Sequence, residues 1–408
     1  MEYKFSDKIA SLKPSAVREI LKSTSDPEVI SLAAGNPAPE AFPVEDIRKI
    51  GKEILDNEPI LALQYGVTEG YQPLIDELKA MVKRRLCIGK DFDSLIVTSG
   101  ATQIMELVTK VLCNEGDSIA VEDPSFIGSL NAFRSYGVNL RGVPVDADGI
   151  NIEALEETLK SDDKIRFLYT IPNFQNPAGC TMSLEKRKAV YDLACKYDII
   201  VMEDNPYGDL RVAGEDLPCI KSFDEEGRVV YAGTFSKVIA PGIRVGYAVG
   251  PAPILAKMTV GKQTEDVHNV MFSQLLVYHW LKEYDLEAHV EKMQAIYRKK
   301  LNLMCDLIDS ELGDYVTYVR PEGGLFVWCR LDDRLPMMDF CARAVEKKVA
   351  VVPGTAFLAD PESTTQYIRL NFSTPTDEDI EKGIKLLGEV AREMARQAAL
   401  PVADEAGC

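Results

Sequence analysis

The chain has 408 residues, 46% hydrophobic and 27% charged, with a formal charge of −18. That length predicts two or three domains of about 100–200 residues with a substantial core, and the composition excludes the disordered and fibrous classes. The acidity opposes nonspecific binding to nucleic acid and anionic membranes, yet leaves room for one small phosphate in a local site.

Taken in chain order, the first twenty or so residues are charged and lack the apolar stretch of a secretory leader. No apolar run reaches the ~18 residues that a membrane-spanning helix needs. Residues 73–87 place Leu74, Leu78, Met81, Val82 and Leu86 on one helical face, with Pro73 suited to the first turn. A strand at 94–98 leads through Ser99-Gly100 into a helix at 101–113, and 117–122 reads as another strand. Strands are predicted at 165–171 and 199–203, with a helix between them at 183–196 capped by Ser183. Two more strands are expected at 229–232 and 245–249. This alternation predicts an α/β fold whose large domain holds a mostly parallel sheet flanked by helices. A long helix at 286–312 then leads into strands at 323–330, 349–352 and 366–372 and a helix at 377–397, a smaller α+β domain. The expected division is an N-terminal arm with a small-domain segment (1–45), a large domain (46–285), and a linking helix with the C-terminal small domain (286–408).

The nine cysteines are scattered and form no CxxC pair, which points to reduced thiols in a cytoplasmic protein. His268, His279 and His289 lack cysteine or carboxylate partners at ligand spacing, so no metal site is expected.

Four strings carry chemistry. In GTFSK at 233–237, followed by PGIR at 241–244, Lys237 stands just past a strand end between hydroxyl residues, with Arg244 seven positions on. Such a lysine suits a Schiff base with an aldehyde cofactor, while the hydroxyls and guanidinium suit a phosphate. A surface lysine in a polar turn is the alternative. IVMEDNPY at 200–207 sets Asp204 at the end of an apolar strand, where a carboxylate can keep a pyridine nitrogen protonated; a helix-capping aspartate is the alternative. PNFQNPAG at 172–179 offers Asn176 as a donor to a phenolate oxygen, or as a turn residue. SGATQ at 99–103 bridges a strand and a helix start, whose free N–H groups make an anion site.

In this order, cradle, asparagine, aspartate and lysine resemble the class I aminotransferases with the aspartate aminotransferase fold, in particular the kynurenine/2-aminoadipate branch. SLAAGNP at 31–37, LQYG at 63–66, PEGG at 321–324 and YIRLNFS at 367–373 extend the resemblance over nearly the whole chain. It implies pyridoxal 5′-phosphate as cofactor, carried on Lys237, which later shuttles the proton. Asp204 would pair with the pyridine nitrogen, and Asn176 and Tyr207 with the phenolate oxygen. Phe126 would stack on the ring. Gly100, the Ala101 and Thr102 amides, Thr234, Ser236 and Arg244 would hold the phosphate. Arg369 would fork onto the substrate carboxylate, with Gly35 and Asn176 lining the same pocket. Tyr65 would reach the phosphate of a partner subunit, implying a homodimer. Arg18 would swing in to bind an acidic side chain.

The chain departs from the pattern at Ala101 and Thr102, where many relatives have serine and glutamine, and at Phe126, often tyrosine. The implied activity is exchange of amino groups between amino acids and 2-oxo acids by a ping-pong route, with acidic donors such as glutamate or 2-aminoadipate favoured and aromatic or branched ones accepted. Two rivals share the fold. A C–S β-lyase would release pyruvate. A cofactor-binding regulator or sensor would carry a DNA-binding domain, for which the start of this chain leaves no room and its charge is unsuited.

Overall fold

The computed structural model describes residues 3–10 and 28–399. The N-terminal stretch forms a two-residue strand, β1 (Ile30–Ser31), and the helices Val44–Asn57 and Gln72–Leu86. The central sheet follows. Its strands are β2 (Asp93–Thr98), β3 (Ser118–Asp123), β4 (Asn139–Asp146), β5 (Gly149–Ile150), β6 (Ile165–Thr170), β7 (Ile200–Asp204), β8 (Val229–Thr234) and β9 (Gly246–Pro251). Among the described residues they are ordered β2-β9-β8-β7-β6-β3-β4-β5.

The strands from β4 through β3, β6 and β7 to β8 are parallel neighbours, as the alternation predicts. The two-residue β5 at the edge runs antiparallel to β4, and β9 is antiparallel to both β8 and β2. Residues 235–245 explain it: they are fewer than the dozen or so that a helical crossover needs, so the chain turns straight back. Alternate residues bury opposite faces. Ile119, Val121, Phe167 and Met202 face one core, while Ala120, Leu168 and Val201 face another built with Leu155, Val190 and Leu193 from the helices Ile152–Ser161 and Leu184–Tyr197. Ser183 does cap its helix, accepting from Lys186 N at 3.4 Å.

The helix Leu286–Leu312, capped by Asp285, runs to the second layer. There β10 (Val316–Tyr318), β11 (Phe326–Leu331), β13 (Val352–Pro353) and β14 (Tyr367–Asn371) form an antiparallel sheet ordered β10-β11-β14-β13. β12 (Val349–Ala350) pairs instead with β1, Ile30 opposite Val349. The single strand expected at 349–352 is therefore two, because the chain changes partner at Val351.

One buried ion cluster supports the edge of the large sheet. Lys221 Nζ lies 2.7 Å from both Asp93 Oδ1 and Asp224 Oδ2, and all three side chains are buried. Burial pushes the Asp224 carboxyl up, but Lys221 and the Arg228 and Val229 N–H groups outweigh it and hold it below the usual range. Lys221→Met removes the cation and leaves two buried carboxylates, a loss of about 3–5 kcal/mol. A lower urea midpoint with unchanged native-state circular dichroism is the expected measurement.

Candidate active site

The strands β2, β3, β6, β7 and β8 end on one edge of the central sheet, and the loops that follow carry the chemistry-bearing strings. Gly246, at the start of β9, pairs with Thr98 on one side and Thr234 on the other. This register brings Ser99-Gly100 against the 234–244 loop. A Cβ on Gly246 would lie 2.8 Å from the Gly100 carbonyl carbon, so the approach requires glycine.

The cradle is built from both loops. Gly100, at φ +77°, precedes the helix Ala101–Leu112, whose first N–H groups have no intrahelical partner. Arg244 donates to Ser99 O at 2.9 Å, to Ser236 Oγ at 3.2 Å and to Pro241 O at 3.3 Å. Thr234 Oγ1 donates to Ser236 Oγ at 3.0 Å and accepts from Ser236 N at 3.2 Å. Two hydroxyls, a guanidinium and a helix start thus meet in one ring, an arrangement that suits a small anion. Ala101 is half-buried and Thr102 exposed beside it.

Lys237 follows on the same loop. Its Nζ donates to Gly35 O at 2.8 Å. Burial lowers its pKa to about 8, helped by the charges of Arg369 and Arg244. Gly35 is tight for a reason: a Cβ there would stand 2.9 Å from the Phe326 ring.

Asp204 ends β7 and is buried. Its Oδ2 accepts from the Tyr169 hydroxyl at 2.8 Å, and its Oδ1 has no partner among the described residues. Burial raises its carboxyl to about 7 against the lowering effect of that hydrogen bond. Asn176 joins two further groups, donating to Tyr207 OH at 3.2 Å and accepting from Arg369 Nη1 at 2.9 Å. Burial pushes the Tyr207 hydroxyl far up and lowers the Arg369 guanidinium to about 10. Arg369 also donates to Ala33 O at 2.8 Å, while its Nε is buried without a partner among the described residues. Its guanidinium carbon stands 4.0 Å from the Phe326 ring centre and 4.8 Å from that of Phe357.

Lys237, Asn176, Tyr207, Arg369 and Gly35 are therefore linked by contacts, and Thr234, Ser236, Arg244 and Gly100 form the cradle beside them. Phe126 stands past β3, at the start of the helix Ile127–Arg134. Tyr65 is apart from this group; it is 81% exposed, its ring edge-on to His268 at 5.6 Å. Arg18 lies outside the described residues.

An unsatisfied buried polar group costs about 1–3 kcal/mol, so the bare Asp204 Oδ1 and Arg369 Nε point to absent partners. A protonated ring nitrogen suits the first and a carboxylate the second. With the anion cradle and the amine of Lys237, the set fits a phosphorylated pyridine aldehyde and an amino acid.

The family described as Aminotransferase class I and II matches residues 27–387. The chain belongs to this family. This aminotransferase is 41% identical to the aromatic-amino-acid aminotransferase 1 of Thermococcus litoralis, over 95% of this chain and 94% of that one. It superposes on the kynurenine aminotransferase of Pyrococcus horikoshii, solved with PMP, with a TM-score of 0.91 and 39% identity, covering 95% and 97% of the two chains. It does so on the α-aminoadipate aminotransferase of Thermus thermophilus, solved with N-(5′-phosphopyridoxyl)-L-leucine, with a TM-score of 0.88 and 35% identity, covering 96% and 98%. The cofactor of this aminotransferase is pyridoxal 5′-phosphate.

Several residues of the constellation do not stand out in the sequence. Phe326 and Phe357, which sandwich Arg369, look like ordinary core aromatics. Glu122, buried and pushed up to about 7 by burial, accepts from Thr170 Oγ1, Ile171 N and Gln175 Nε2, and so anchors the loop of Asn176. Its one sequence signal is an acid inside an apolar strand. Tyr169 is hidden likewise in β6.

Proposed function

We propose that this aminotransferase takes the amino group from an L-amino acid and passes it to a 2-oxo acid in two half-reactions at one site, favouring acidic donors such as glutamate or 2-aminoadipate and accepting aromatic or branched ones. The observation that carries the reading is the buried Lys237 amine, held to Gly35 O; its burial and the charges of Arg369 and Arg244 favour its neutral form. The donor range is supported by the relatives' names, which span aromatic amino acids, kynurenine and 2-aminoadipate.

When bound, the cofactor supplies an aldehyde for amines and a ring that takes up the electron pair released at Cα. Lys237 would hold it, and once the substrate amine has taken the place of the lysine the freed Lys237 Nζ would accept the Cα proton and hand it on; an amine with a pKa near 8 suits both directions of transfer. Asp204 Oδ1, buried and unpaired among the described residues, would accept from the ring nitrogen and balance its charge. Asn176 and Tyr207 place two polar groups side by side for the phenolate oxygen. Arg369 fixes the substrate carboxylate, with Gly35 beside it. Phe126 covers the ring. Gly100, Ala101, Thr102, Thr234, Ser236 and Arg244 hold the phosphate.

The active unit in this reading is a homodimer in which Tyr65 reaches the partner subunit's phosphate. Exposed Ile60, Leu63, Val67 and Val270 around Tyr65 support an interface there. The pairing of β1 with β12 supports grouping the N-terminal 1–45 with the small domain 286–408, apart from a large domain at 46–285. No helix among the described residues is long and apolar enough to cross a membrane.

The test is the visible absorbance of the enzyme with pyridoxal 5′-phosphate. Glutamate, 2-aminoadipate, phenylalanine and leucine are each expected to bleach the band, and the matching 2-oxo acid to restore it, fastest for the acidic pair. A band that no amino acid bleaches reversibly rejects the proposal, and release of pyruvate and ammonia from cysteine would mark a lyase.

The cradle makes a second prediction. A Cβ on Gly100 would lie 2.2 Å from Arg244 Nη2, at a φ that L side chains rarely adopt. Gly100→Ala is expected to displace Arg244 and weaken cofactor affinity about tenfold or more, the loss of one charged hydrogen bond, as measured by titrating apoenzyme with pyridoxal 5′-phosphate.

A further inference from the structure

Tyr169 lies one residue from the end of β6, opposite Met202 of β7, so its side chain shares a face with Asp204 two residues further on. Ser129, from the helix Ile127–Arg134, meets it from above the sheet. All three side chains are buried. Ser129 Oγ lies 2.8 Å from Tyr169 OH, and Tyr169 OH lies 2.8 Å from Asp204 Oδ2. Among the described residues the other hydrogen-bonding neighbour of Ser129 Oγ is Met105 Sδ at 2.9 Å, a weaker acceptor than the phenol oxygen.

We propose that Ser129 and Tyr169 form a one-way hydroxyl relay that keeps Asp204 a carboxylate and leaves Oδ1, rather than Oδ2, to face the cofactor, making Tyr169 a positioning residue for the reaction. This rests on the reading of Asp204 given above. Each hydroxyl has one proton. Because Tyr169 gives its proton to Oδ2, its oxygen is free to accept from Ser129, and the chain has one direction. The phenol stays protonated, since burial and then the Asp204 charge push its pKa well up. Its ring is also fixed, edge-on to Phe133 at 5.2 Å.

Among the described residues no other group donates to Asp204. The Asp204 charge is felt by Glu122, Tyr169 and Tyr207, and none of these is a cation. The Tyr169 hydrogen bond is the influence that opposes burial at this carboxyl. Loss of the hydroxyl frees Oδ2, removes the preference between the two oxygens and favours the protonated acid, which can no longer balance a ring cation.

The experiment titrates apoenzyme with pyridoxal 5′-phosphate across the acid-to-neutral range, for wild type, Tyr169→Phe, Ser129→Ala and Asp204→Asn. Wild-type affinity is expected to fall as the pH drops through the Asp204 transition. Tyr169→Phe should weaken affinity on the order of tenfold at neutral pH and move that transition to higher pH. It should also lower kcat while changing KM for the amino donor far less. Ser129→Ala should shift the transition the same way by less. An unshifted transition in Tyr169→Phe, with Asp204→Asn strongly weakened, overturns the relay and leaves the role of Asp204 standing. Wild-type affinity in Asp204→Asn overturns that role itself. Should Tyr169→Phe not fold, Ser129→Ala carries the test, and an unshifted transition there overturns the relay.

Discussion

Lys237→Ala is expected to lower kcat by at least about ten-thousandfold, because one side chain supplies both the covalent attachment and the proton transfer. Structurally the change is mild. Among the described residues Nζ makes one hydrogen bond, to Gly35 O, and the lysine sits on a loop whose backbone is held by Phe235 and Val245. The variant should therefore fold, keep the cradle of Thr234, Ser236 and Arg244, and still bind pyridoxal 5′-phosphate noncovalently. Three measurements separate the roles. Borohydride should no longer fix the cofactor to the chain. Single turnover with a preformed adduct of cofactor and amino acid isolates the proton step. Added small amines should restore part of the rate if proton transfer is what is missing. Retention of more than about a hundredth of wild-type kcat would assign the chemistry elsewhere.

The second large effect belongs to Arg369. Its guanidinium lies between two aromatic rings, donates to Asn176 and Ala33, and still has Nε free. A lysine carries the same charge but a single nitrogen, which cannot serve two fixed acceptors and a carboxylate together. Truncating one partner of a buried, hydrogen-bonded charge pair costs about 2–5 kcal/mol. Arg369→Lys should thus reduce kcat/KM for amino acids by about thirtyfold to several-thousandfold, at roughly tenfold per 1.4 kcal/mol. Amines that lack a carboxylate should lose much less. Equal losses for both substrate types would show that the change had disturbed Asn176 and Tyr207 instead of carboxylate binding.

The residues of the candidate site were legible because each stands at or past a strand end in a chemically distinctive string: Lys237 in GTFSK, Asp204 after IVME, Asn176 before proline. Periodicity placed the strands and the long helices to within a few residues. What it missed has a physical cause in each case. The direction of β9 depends on how few residues connect it to β8, not on its own apolar pattern. The split at Val351 depends on which strand each half meets. Tyr169 and Ser129 look like core residues, since a buried hydroxyl declares its role only through its partner. Phe326 and Phe357 gain theirs from the guanidinium placed between them by register, where Trp328 lies opposite Arg369.

The pairing of β1 with β12 sets an order on assembly. Ile30 is among the early residues made and Val349 among the late ones, so at about 5–20 residues per second the ribosome needs on the order of half a minute to bring them both into being. Ala33 and Gly35, which contact Arg369 and Lys237, ride on the segment that waits. The central sheet can form around its own strands during synthesis, but the lysine pocket closes only once the last quarter of the chain has emerged. A nascent chain stalled before β12 should therefore carry a protease-resistant sheet and an unfinished site, with its early segment left for chaperones to guard.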